Sequence, residues 1–187
     1  MLQYLKEYGK YVEITGYQNI TFNLAEAYLK ANRKQTSQNT DIQFFDADLI
    51  ATQEHLYFAV LNALQAFKNK TNLSKTPAME TILYASAQRQ IQKAIERCGI
   101  KPKTKSMAVI IIGDDPKQIG NALREVTISV GSDPDADVLE LTRNKEAKIR
   151  KAFEITDQEL RTVENGNPEK AIVNLVIERV ALLATQL

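Results

Sequence analysis

The chain has 187 residues, 44% of them apolar and 25% charged, a composition ordinary for one globular domain that can bury a core without staples. Its only cysteine is Cys98 and its only histidine is His55; this excludes disulfide frameworks and single-chain Cys/His zinc sites and points to a reducing, cytoplasmic setting. With 24 Lys+Arg against 23 Asp+Glu, net charge gives no argument for nucleic acid, so any such argument must be local.

Residues Met1 to Tyr8 show no basic region followed by an apolar one, and no apolar run approaches the roughly 18 residues of a membrane span. A cytoplasmic protein without membrane attachment is expected. The Asn-x-Ser/Thr triplets at Asn19, Asn69 and Asn72 are accordingly chance, since glycosylation needs the secretory route.

In chain order, Lys10 to Tyr17 alternates polar and bulky β-forming residues, which predicts a half-buried strand. A short helix is expected from about Leu24 to Ala31, then a polar, aperiodic loop over Asn32 to Asp41, then a strand at Ile42 to Phe45. Leu56, Ala59, Val60, Ala63, Leu64 and Phe67 recur at helical spacing and define the buried face of an amphipathic helix from Glu54 to Lys68. Thr76 and Pro77 suit the N-cap and first position of a helix running to about Ala85. Ile91, Ala94, Ile95 and Cys98 mark the apolar face of the next helix, and Gly99 stands where a left-handed C-cap is expected. Met107 to Ile112, rich in β-branched residues and closed by Gly113-Asp114-Asp115-Pro116, reads as a buried central strand ending in a turn. Helical patterns cover Lys117 to Glu125 and Lys145 to Phe153, separated by a break at Gly131 to Asp135. The last helix, Pro168 to about Thr185, is polar only along Lys170, Asn174 and Glu178, so its broad apolar surface must be buried in the core or against a partner. The fold class that follows is α+β: a small, mostly antiparallel sheet covered by several helices, in a single domain over residues 1–187.

Few residues carry candidate chemistry. His55 is the acid–base suspect, with Asp46 and Asp48 as conceivable partners, yet no Ser or Cys nucleophile is near it in sequence and a packed, hydrogen-bonded His is the commoner outcome. Asp46 and Asp48 offer too few oxygens for a hard metal and suit a strand end and a cap. Cys98 lies on an apolar face and reads as a small core residue. The segment Gly113 to Pro116 lacks the Lys and Ser/Thr of a phosphate loop. What remains is basic: Arg89, Lys93 and Arg97 recur every four residues, Lys101, Lys103 and Lys105 follow, and only Glu96 opposes them between Ser86 and Lys105. Such a stripe suits a phosphate backbone, and Gln88, Gln90 and Gln92 add amides for base edges. A solvated helix face has the same composition.

Several stretches together resemble one family. They are Asp46-Ala47-Asp48-Leu49-Ile50-Ala51, then Glu54-His55-Leu56 with Ala59, Ala63 and Phe67, then Met79 to Ile91 with Ala94-Ile95-Glu96 and Gly99-Ile100, then Phe153 to Asp157, and finally Leu175 to Leu183. In this order they resemble the archaeal form of the small KEOPS subunit, the family of the human PRPK-binding protein. The segment Gly131 to Arg143 and the loop Asn32 to Asp41 match poorly, and no function is carried over to them.

The resemblance implies an α+β fold, no enzymatic activity, no cofactor and no small-molecule substrate. It also implies docking on the kinase-like ATPase subunit and capture of the single-stranded CCA end of tRNA, in a complex that installs threonylcarbamoyl-adenosine beside the anticodon. The RNA contacts are then expected at Ser86, Arg89, Gln90, Ile91, Lys93 and Arg97, with Tyr84 or Ile91 as a stacking platform. The partner contacts are expected at Phe58, Leu61, Asn62 and Gln65, which lie off the buried face of their helix. Two rivals stand beside this reading: a stand-alone enzyme using His55 with Asp46 or Asp48, and an adaptor that touches no RNA.

Overall fold

The computed structural model describes residues 2–32, 40–163 and 166–185. Four antiparallel strands form one sheet: β1 (Gln3–Leu5), β2 (Lys10–Tyr17), β3 (Thr40–Asp46) and β4 (Met107–Gly113), in the order β1-β2-β4-β3. The α+β expectation holds, and β4 takes the buried central place its composition predicts: every one of its residues is buried. Helix α1 (Phe22–Asn32) links β2 to β3, which run in the same direction because both are antiparallel to the strand between them.

Helices cover both faces of this sheet. On one face α1 and α5 (Pro116–Val130) pack over Tyr17, Ile42, Phe44, Val109 and Ile111. On the other, Val12, Ile14, Phe45, Ile110 and Ile112 meet α2 (Gln53–Asn69), α3 (Pro77–Ala85), α4 (Ile91–Cys98), α6 (Arg143–Ala152) and α8 (Pro168–Thr185). The small helix α7 (Asp157–Val163) buries no residue. The broad apolar surface of α8 is core, with Ile172, Val176 and Val180 fully buried, while Leu182 remains exposed.

Three expectations are corrected. Strand β2 is buried on both sides from Val12 onward rather than half-buried, because α5 covers the face that carries Glu13 and Thr15. The polar loop expected at Asn32 to Asp41 is shorter at its ends: Asn32 closes α1 and Thr40 opens β3, and the residues between lie outside those described. Gly99 is not left-handed but extended, at φ −73° and ψ 159°. It is glycine for space, since a Cβ there would come within 2.6 Å of the Ile95 carbonyl oxygen.

Candidate functional site

The turn between α3 and α4 is fastened from below. Thr76 starts α3 by accepting from the Met79 N–H at 3.2 Å. The helix ends in paired main-chain bonds from Ala87 N to the Tyr84 carbonyl (2.9 Å) and from Gln88 N to the Leu83 carbonyl (3.0 Å). That pattern needs a left-handed residue after the helix, and Ala87 supplies it at φ 49°, a conformation that costs a non-glycine residue about 1–2 kcal/mol. Buried Ser86 donates its hydroxyl to the Leu83 carbonyl at 3.1 Å, so its side chain faces inward.

The last carbonyls of α3 collect three side chains. The His55 Nδ1 accepts from the Ala51 N–H at 3.2 Å, which leaves Nε2 to donate to the Ala85 carbonyl at 2.9 Å. The Cys98 thiol lies 4.0 Å from the same oxygen. Arg97 Nη1 donates to the Ser86 carbonyl at 3.1 Å, bringing a cation to the negative end of the helix. The Arg97 guanidinium also lies 5.9 Å from the centre of the Phe153 ring, which in turn meets the His55 ring edge-on at 5.6 Å. Arg97 is therefore half-buried and committed to the turn, not part of a solvated stripe.

These contacts undo the proposed acid–base pairing. Burial pushes the His55 pKa down to about 4, and the Ala85 carbonyl only partly offsets this; both ring nitrogens are occupied and the residue has no exposed surface. Asp46 accepts from the Asp48 N–H (3.2 Å) and the Thr104 hydroxyl (3.0 Å), while Asp48 pairs with Lys148 at 2.6 Å. Asp46 thus caps the 3-10 turn at Ala47–Leu49, and both carboxylates serve neighbours other than His55. Burial likewise drives the Cys98 thiol up to about 12, leaving it protonated and inert, as expected of a core residue.

A cleft of about 820 Å³ opens beside this turn. Its cationic lining comes from three places: Lys93 and Arg97 on α4, Lys101 and Lys103 in the following loop, and Lys148 and Lys151 on α6. Gln88 also lines it. Arg89, Gln90 and Ile91 lie exposed between Gln88 and Lys93. Gln90 occupies the N-cap position of α4 without a side-chain bond to the first turn, so the N–H groups there have no side-chain cap.

Ile91, expected on the apolar face, is 40% exposed, whereas Tyr84 is only 4% exposed; of the two suggested stacking platforms, only Ile91 is at the surface. Lys148 and Lys151 escaped the sequence reading. Lys145, Lys148 and Lys151 recur every three residues, a signal available in the sequence, but the first of them turns inward. Buried Lys145 donates to the Val138 and Glu140 carbonyls at 3.1 and 2.9 Å, and burial lowers its pKa to about 8.

On α2, Phe58, Leu61 and Asn62 are half-buried and Gln65 is exposed. Asn62 Nδ2 donates to the Phe58 carbonyl at 2.8 Å. Gln65 accepts from the Tyr8 hydroxyl and donates to Asn69 Oδ1, both at 3.0 Å. The four residues share one side of the helix and present it with Phe58 set edge-on to Tyr57 at 6.0 Å.

Among the described residues, no group of three or more His, Cys, Asp or Glu is placed to hold a metal ion, and no helix is long and apolar enough to cross a membrane. A family model described as kinase binding protein CGI-121 matches residues 17–184. The regulatory protein Cgi121 of Methanocaldococcus jannaschii is 33% identical over 141 residues, covering 75% of this chain and 81% of that protein. The match spans both faces of the sheet, the α3–α4 turn and the cleft, and the chain belongs to the CGI-121 family of kinase-binding proteins.

Proposed function

We propose that this chain is a non-catalytic accessory subunit of the KEOPS complex, working in the cytoplasm, that docks on the kinase-like ATPase subunit and holds the single-stranded CCA end of tRNA. The kinase half of this reading rests on family membership and on the apolar residues Phe58 and Leu61 along α2. The RNA half is carried by one observation: the cleft collects cations from three elements beside an uncapped helix start and an exposed Ile91. Phosphates suit the cations and the free N–H groups, and a base stacks on an apolar surface. A regulatory rather than chemical role agrees with His55 and Cys98, the two groups best suited to catalysis, being sealed in the core.

Of the expected RNA contacts, Arg89, Gln90, Ile91 and Lys93 would touch the strand, whereas Ser86 and Arg97 would hold the turn that presents them. The test is a double change, Arg89→Glu with Lys93→Glu, titrated with tRNA over a range of salt. Binding should be lost, with the midpoint of thermal unfolding little changed, because both side chains are exposed. For the milder Arg89→Gln with Lys93→Gln, the slope of log affinity against log salt should fall by roughly 0.7 per residue. Unchanged tRNA affinity in the double-glutamate variant would remove RNA from this face and leave an adaptor that binds protein only.

A further inference from the structure

The α6 lysines Lys148 and Lys151 line the same cleft as Lys93 and Arg97 of α4, and Lys148 is held there in an ion pair. Six cations and four carboxylates line the cleft. Three of the carboxylates are engaged within the chain: Asp46 by the Thr104 hydroxyl, Glu96 by Gln92 Nε2 at 3.0 Å, and Asp48 by Lys148. Lys93, Lys103 and Lys151 have no ion-pair partner among the described residues.

The Asp48–Lys148 pair is short, at 2.6 Å, yet its side chains are 48% and 54% exposed. A pair that wet contributes little to stability and exchanges readily for another anion. Lys148 and Lys151 lie three residues apart on α6, and so project from neighbouring positions on one side of it.

Building on the function proposed above, we propose that the bound single strand continues across α6, with backbone phosphates on Lys148 and Lys151, and that Asp48 is a stand-in anion that positions Lys148 until a phosphate displaces it. The ligand class is a single-stranded polyanion longer than the α3–α4 turn alone can hold. Asp48 then has a function that opposes binding: it holds Lys148 in an ion pair and makes weak anions poor competitors, since any of them must displace a carboxylate.

The experiment uses the full chain and tRNA with an intact 3′ end. Lys148→Gln with Lys151→Gln should weaken binding and lower the salt slope by roughly 0.7 per residue, with unfolding midpoints close to the parent. Asp48→Asn should tighten binding by about threefold, the size expected for releasing one exposed pair. The proposal is overturned if the lysine variant matches the parent in affinity and slope while Arg89→Glu with Lys93→Glu loses binding: the site would then be right and the path over α6 wrong. Weaker binding by Asp48→Asn would equally overturn the displacement. If the parent chain itself binds no tRNA, the proposed function fails and this inference with it.

Discussion

Replacing His55 by Gln offers a quantitative check on the framework beneath the α3–α4 turn. His55 is fully buried and neutral, with a pKa pushed down to about 4 from an ordinary 6.5. For a base whose folded pKa lies below its unfolded value, the unfolded chain takes up the proton first as pH falls. The stability is complete above about pH 6.5 and is lost progressively down to about pH 4, where the folded protein also protonates. Across that window the wild-type chain should lose about 3 kcal/mol through this one group. Gln keeps a donor for the Ala85 carbonyl but abandons the Ala51 N–H, at a cost of about 1–3 kcal/mol at neutral pH. The variant should therefore start less stable at pH 7 and close the gap as pH falls. Urea unfolding at half-unit steps from pH 7 to pH 4 measures both curves, and taking their difference cancels the carboxylates common to both. Parallel curves would refute the buried, neutral imidazole.

Gly16→Ala should destabilise the fold by about 1–3 kcal/mol through overpacking, because a Cβ there would come within 2.8 Å of the Asp135 carbonyl oxygen and 2.9 Å of Val138 Cβ; a thermal melt reads this directly, and an unchanged midpoint would show that the segment after α5 does not seat on β2. Leu61→Glu, on the half-buried side of α2, should leave the circular dichroism spectrum intact and reduce capture by the ATPase subunit at least tenfold, the loss of an interface anchor worth over 1 kcal/mol; equal capture in a pull-down would clear this face of kinase contact.

Where local chemistry decides structure, the sequence was legible. Thr76 and Pro77 begin α3, the apolar spacing of Leu56 to Leu64 sets the buried face of α2, and the β-branched run of β4 marks the sheet centre. What escaped was decided by tertiary packing. Strand β1 has three residues and exists by pairing with β2; α7 buries nothing and so has no apolar periodicity to detect. Glu13 and Thr15 made β2 look one-sided, yet α5 covers them.

The candidate site divided in the same way. The basic stripe was visible along the chain, but a stripe does not reveal that Arg97 turns back to the Ser86 carbonyl or that Ile91 stays outside. The α6 lysines could join only through the fold, since more than fifty residues separate them from Lys93 and only the packing of α6 against the 3-10 turn brings them to one cleft.

The central claim, that the cleft beside the α3–α4 turn receives the end of a tRNA, is tested most directly by comparing two preparations of one tRNA. One has an intact CCA terminus and the other lacks it, and each is mixed with the full chain and weighed as a complex by native mass spectrometry. The account predicts a complex with the intact tRNA and little or none with the truncated one; equal binding of the two would contradict it.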